Sequence, residues 1–228
     1  MKVWFRSYVC AMCGNRFGGR DAYVTYKRSC ICRNCEKKLV RVKGKSCFEC
    51  RGYIGYIIAP FYYTEPYREL FLKFKFFGDT AAGHMLGVMT AEYFRQCGSF
   101  DMFDFMTVVP LSRERFNKRG YNQSQLLAEY VSEAVGLRIE NVLIKPEDRP
   151  PQSLLSGYEK TLNVAGAFEL TRDVCGKSIL VFDDISTTGK TLGECALVLK
   201  KGGAERVGGA VCARMGQKTE LPVHLRLQ

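Results

Sequence analysis

Histidine is nearly missing: His84 and His224 are the only two in 228 residues. Both lie outside the cysteine-rich N-terminus, which argues against a mixed cysteine–histidine finger there. The chain has no run of about eighteen apolar residues, the length a membrane-crossing helix needs. Its first residues hold no apolar stretch of the kind that marks a secretory signal. A cytoplasmic protein is expected, so its eleven cysteines are expected to be thiols or metal ligands and not disulfides. One glycine is missing too. The segment ending in Gly189-Lys190-Thr191 looks like the tail of a P-loop, but the first glycine of that motif would fall on Asp184. A Walker-type nucleotide site is thereby excluded.

Apolar residues make up 46% of the chain, enough to bury a core. Charge is unevenly spread. Residues 1–51 hold six Lys and seven Arg against Asp21, Glu36 and Glu49, a net of +10 in a chain of net +11. The same stretch holds seven cysteines, as Cys10-x2-Cys13, Cys30-x-Cys32-x2-Cys35 and Cys47-x2-Cys50. A C-x2-C pair aims two thiolates at one ion, and two pairs make a tetrahedral zinc site. Cys10, Cys13, Cys32 and Cys35 are the first choice. Cys47 and Cys50 could replace one pair, or join Cys30 and a non-cysteine ligand at a second site. The expected organisation is a zinc module over 1–51, folded by its metal, and a larger domain over 52–228. The module also interleaves aromatics with cations around Trp4, Arg6, Lys27 and Arg28. Bases stack on such aromatics while cations follow phosphates, which points to single-stranded nucleic acid. A solvated basic face is the alternative.

"VFDDISTTGKT", residues 181–191, carries the chemistry. Ser178 to Phe182 is a short apolar run, as in a strand buried on both faces of a parallel sheet. Leu192, Cys195, Ala196 and Leu199 follow at helical spacing, and Gly202-Gly203 ends the run. The polar segment between them faces a helix N-terminus, where anions bind. Thr187, Thr188 and Thr191 add hydroxyls, Gly189 lets the backbone approach, and Lys190 adds positive charge. Asp183 and Asp184 would repel a bare phosphate but suit sugar hydroxyls, so a ribose 5-phosphate fits the pattern.

Elsewhere, Gly52 to Tyr63 reads as a strand and Glu65 to Phe77 as a helix with Leu70, Phe71 and Phe74 on one face. Ala81 to Gln96 reads as a second helix and Asp104 to Pro110 as a buried strand. Leu111 to Gln123 reads as a basic loop. An amphipathic helix follows on Leu126, Leu127, Tyr130, Val131 and Ala134, stopped by Gly136. Arg138 to Ile144 reads as a short strand, Asp148 to Lys160 as a Pro-rich mobile loop, and Arg206 to Ala213 as a late strand. Alternating strands and helices predict a parallel α/β sheet with ligands at the strands' carboxyl ends.

The 181–191 stretch resembles the phosphoribosyl pyrophosphate signature of type I phosphoribosyltransferases. Together with "RELFLKFKFFGD" (68–79), "VVPLSRERFNKRGYNQS" (108–124), "PPQSLLSGYEKTLNVAGAF" (150–168) and the cysteine pairs, it resembles the ComF family of competence proteins. The resemblance runs from Cys10 to Arg214. It implies a four-cysteine zinc finger before a type I phosphoribosyltransferase-like domain, and a role in uptake of single-stranded DNA during natural transformation. DNA-uptake helicases or recombination proteins are implied as partners. Asp183 and Asp184 would hold ribose hydroxyls, and Thr187 to Thr191 the 5′-phosphate. Mg2+ would accompany the pyrophosphate. The loop with Arg113 and Arg115 would face that pyrophosphate, and Arg119 to Gln123, with Asn122, would form a lid. Lys160 stands where the family usually has arginine, which weakens a forked phosphate contact there. The sequence names no acceptor pocket. It leaves open a binding protein or an active transferase with an unidentified acceptor.

Overall fold

The computed structural model describes residues 7–18, 22–26, 29–42, 53–98, 100–146 and 168–216. The N-terminal part is small. β1 (Ser7–Val9) pairs antiparallel with β2 (Arg16–Gly18), β3 (Ala22–Tyr26) pairs antiparallel with β4 (Ser29–Cys32), and one helical turn, α1 (Arg33–Glu36), follows.

The remainder is built on a parallel sheet. β5 (Ile57–Ile58) and β6 (Phe61–Tyr62) lie along the same partner strand. α2 (Tyr67–Phe77) and α3 (Thr80–Gln96) come next, then β7 (Phe105–Val108), α4 (Arg113–Arg119) and α5 (Gln123–Val135). β8 (Leu143–Ile144) and β9 (Glu169–Leu170) form a small antiparallel pair. β10 (Ser178–Ser186), α6 (Lys190–Lys201) and β11 (Arg206–Arg214) complete the fold. The strand order is β5-β11-β10-β7, with β6 also on β11. β10 pairs in parallel with β11 from Ser178↔Arg206 to Ser186↔Arg214, and with β7 from Ile179↔Phe105 to Phe182↔Val108.

Side chains of a strand alternate between faces, and here both faces are covered. Leu180 and Phe182 of β10 join Met106, Val108 and Cys212 under α2, α3 and α5. Ile179 and Val181 join Phe105, Val207 and Val211 under α6, through Leu192, Cys195, Ala196 and Leu199. This double burial is why β10 opens with five consecutive buried residues. None of the described helices is long and apolar enough to cross a membrane.

Three expectations change. Gly52 to Tyr63 is not one strand but two dipeptide strands, interrupted at Ala59-Pro60, because proline has no N–H to give the ladder. Leu111 to Gln123 is not a loop: it contains α4 and the start of α5. No residue of α4 is buried, so it shows no apolar period. Its end is fixed by Gly120, left-handed at φ 76°, whose N–H donates to the Phe116 carbonyl, with Lys118 and Arg119 in the last turn. Arg138 to Ile144 yields one bridge, Ile139 to Met106, and the two residues of β8. The loop expected at Asp148 to Lys160 lies outside the described residues.

Candidate functional site

Two groups of side chains stand out, and α2 touches both. The first is the cysteine cluster. Sγ atoms of Cys10, Cys13, Cys32 and Cys35 all lie within 4.8 Å of one another. Four thiolates on one ion at about 2.3 Å would be roughly 3.8 Å apart, so the set fits a tetrahedral metal ion. Burial opposes ionisation of Cys10, yet backbone N–H groups of Cys13, Cys32 and Met12 bring its thiol down to about 7. The Cys32 N–H donates to Cys10 Sγ at 3.4 Å. Cys30 is buried but turned away, donating to the Val9 carbonyl at 3.2 Å. Cys47 and Cys50 lie outside the described residues, as do Trp4, Arg6, Lys27 and Arg28.

The cysteine-rich part does not stand apart from the sheet domain. Cys10, Met12, Ile31, Cys32, Cys35 and Leu39 share one apolar core with Leu70, Phe71 and Phe74 of α2. Lys73 Nζ donates to the carbonyl of Met12, inside the Cys10–Cys13 knuckle, at 3.0 Å.

The second group sits at the carboxyl edge of the sheet, in a cleft of about 250 Å3. β10 runs past its apolar half and delivers Asp183 and Asp184 there. Asp183 Oδ1 accepts from Ser124 Oγ at 3.1 Å and from the Asp184 N–H at 2.8 Å. Asp184 Oδ1 accepts from the Ile185 N–H at 2.6 Å, and its Oδ2 meets Lys75 Nζ of α2 at 3.3 Å. Burial first, and the Asp184 charge second, raise the Asp183 carboxyl to about 8, against the pull of Ser124 and Lys75.

The next residues turn from strand to helix. Gly189 is the N-cap of α6 at φ 73°. A Cβ there would meet only ordinary contacts, Ile57 Cδ1 at 3.9 Å and Ser186 Oγ at 4.0 Å, so the conformation is what requires glycine. Thr191 lines the cleft. Thr187 and Thr188 are exposed, and Thr188 Oγ1 accepts from the Lys190 N–H at 3.4 Å. The Lys190 side chain reaches outward to Glu194 at 3.8 Å.

α4 supplies the opposite wall. Arg115 and Arg119, one turn apart, line the cleft with Lys145. Arg113 lies on the other side of α4, against a separate groove. The lid expected from Arg119 to Gln123 is instead part of the frame. Asn122 caps α5 through the Ser124 N–H and donates to the Val109 carbonyl at 3.2 Å. Gln123 is buried and accepts from Arg119 at 3.1 Å.

Ser124, Lys75, Lys145 and Arg214 carried no role in the sequence. Ser124 and Lys75 fall only within stretches that bear the family resemblance, and the carboxylate partner of Ser124 is 59 residues away. Arg214 ends β11 beside Ser186, buried, with Nη2 donating to the Tyr62 hydroxyl at 3.0 Å and its guanidinium 4.7 Å from the Tyr62 ring. Gln152, Ser156, Lys160 and Asn163 lie outside the described residues.

A doubly covered parallel sheet with an acid pair and a Thr-Gly helix start at its carboxyl edge defines a phosphoribosyltransferase-type domain. The family model described as "Phosphoribosyl transferase domain" matches residues 122–226. The chain is 30% identical over 179 residues to "Competence protein ComFC" of Streptococcus pneumoniae, covering 77% of each chain. It is 27% identical over 154 residues to "Competence protein F" of Haemophilus influenzae, covering 64% of this chain and 67% of that one. It is 28% identical over 149 residues to "DNA utilization protein YhgH" of Escherichia coli K12, covering 64% of this chain and 66% of that one. The chain belongs to the ComF family, and in it a four-cysteine cluster precedes a phosphoribosyltransferase-type domain.

Proposed function

We propose that this protein acts in DNA uptake during natural transformation, binding phosphoribosyl pyrophosphate or a related ribose phosphate and single-stranded DNA. The names of its relatives, competence proteins ComFC and F, support the biological role. The observation that carries the ligand is the convergence of Asp183, Asp184 and Thr191 with Arg115 and Arg119 on one cleft. In this reading the acids take ribose hydroxyls, the Thr187–Thr191 turn takes the 5′-phosphate, and the arginines face the pyrophosphate. Mg2+ bound with the ligand would neutralise part of its diphosphate charge. Zinc is the ion suited to the four thiolates, in a structural role. Single-stranded DNA is assigned first to the basic N-terminal module, through Trp4, Arg6, Lys27 and Arg28, and the site of action to the cytoplasm.

A second reading is a working transferase with an unidentified acceptor. It is favoured by the arginines opposite the acid pair, which suit a departing pyrophosphate. Titration of phosphoribosyl pyrophosphate with Mg2+ tests the shared premise, and absence of binding rejects both readings. Asp183→Asn with Asp184→Asn is expected to lower that affinity and spare single-stranded DNA binding. Turnover with a panel of amines and nucleobases would favour the transferase.

A further inference from the structure

α4 is a partition. On one side lies the acid cleft. On the other lies an open groove of about 650 Å3, bounded by α4, the start of α5 and β8. Its character is different. Phe116, Leu126 and Ile144 line it and are 47%, 39% and 45% exposed, and Tyr121 forms part of its floor. Gln125 and Asn141, joined by a hydrogen bond of 3.2 Å, lie along it, Arg113 and Lys145 stand at its rims, Lys145 shared with the acid cleft, and none of its lining residues is acidic.

This combination selects among occupants. Cations alone would suit any polyanion, but an apolar wall with an exposed aromatic ring wants planar, poorly hydrated groups. An apolar peptide would satisfy the wall and leave the cations unused. A duplex offers phosphates but hides its base faces. A single strand offers both, and the amides of Gln125 and Asn141 can meet base edges.

We propose that this groove seats unpaired bases of a single-stranded nucleic acid, with Phe116 as the stacking platform and Arg113 and Lys145 along the phosphates. The inference rests on the single-stranded DNA reading above and adds a second contact surface to it, on the sheet domain. One helix then presents two faces to two ligands: Arg115 and Arg119 to the sugar phosphate, Arg113 and Phe116 to the strand.

The test uses the full-length, metal-loaded chain and a fluorescein-labelled oligothymidylate of about twenty nucleotides, long enough to span more than one base-stacking site. Phe116→Ala is expected to weaken binding about 10- to 100-fold, the range for loss of one stacked base. Phe116→Trp should restore it. Arg113→Gln should lower the slope of log affinity against log salt by about 0.7, the single-strand value for one phosphate contact. Phosphoribosyl pyrophosphate binding should be unchanged in Phe116→Ala. Wild-type binding with no loss in Phe116→Ala overturns the groove and leaves the DNA reading standing. No wild-type binding overturns both. Equal competition by a duplex or by an acidic peptide overturns the stacking role. A fall in melting temperature and a new protease cut within 147–167 in Phe116→Ala, at unchanged DNA affinity, assigns the groove to the chain's own segment and overturns the proposal.

Discussion

Replacing Asp183 with asparagine should make the unliganded protein more stable, by an amount that grows from about pH 4 and levels off above about pH 8. Burial and the Asp184 charge raise the Asp183 carboxyl from 3.8 to about 8. Between those values the folded chain holds a proton that the unfolded chain has released. The wild type is therefore most favoured by this group at low pH and loses stability as pH rises through that window to about 8. Asparagine has no proton to lose and keeps the oxygen that accepts from Ser124 and the Asp184 N–H. About four units at about 1.4 kcal/mol each set a ceiling of about 5–6 kcal/mol. Asp183 opens on a cleft that water enters, so about 1–3 kcal/mol is the expected gain at high pH. For a chain of this size that is roughly 2–12 °C in melting temperature. Thermal unfolding of both proteins at about pH 5, 7 and 9, without ligand, reads it out. A difference that stays flat with pH, or a variant less stable than the parent at the highest pH, refutes the reasoning. A gain in stability with a loss of sugar-phosphate affinity would mark Asp183 as a group retained for binding.

Elemental analysis of unchelated protein should find at least about one zinc per chain, and Cys10→Ser with Cys35→Ser should remove it and destabilise the shared core around Phe71. Gly189→Ala should cost about 1 kcal/mol in unfolding experiments, from its positive φ and not from a clash. Trp4→Ala should weaken single-stranded DNA binding by about 1–3 kcal/mol if a base stacks there, measured by anisotropy at fixed salt. A loss of less than about 0.5 kcal/mol would remove Trp4 from the interface.

The strand–turn–helix from Ser178 to Lys201 was legible because both of its periods are unambiguous. Five apolar residues in a row mean a doubly buried strand, and Leu192, Cys195, Ala196 and Leu199 mean one buried helix face. The C-x2-C spacing likewise singled out sulfurs that the fold brings together. α4 was not legible, since a helix with no buried residue leaves no period to read. Nor were the pairs that shape the cleft. Ser124 with Asp183, and Lys75 with Asp184, are 59 and 109 residues apart. Such pairings follow from strand order, which no local pattern encodes. The division at residue 51 followed a step in charge, but packing ignores it: the cysteine knuckles and α2 share one core. Truncation there would bare Leu70 and Phe71, so point substitutions are the sounder test of which part binds DNA.

α2 holds the Met12 carbonyl through Lys73 and Asp184 through Lys75, two residues along. Neighbours at that spacing leave a helix on different sides, so one short stretch of α2 braces the cysteine knuckle on one side and the acid cleft on the other. If occupancy of one side changes affinity on the other, the effect must run both ways by the same factor in equilibrium affinity, and paired titrations of metal and sugar phosphate would measure it.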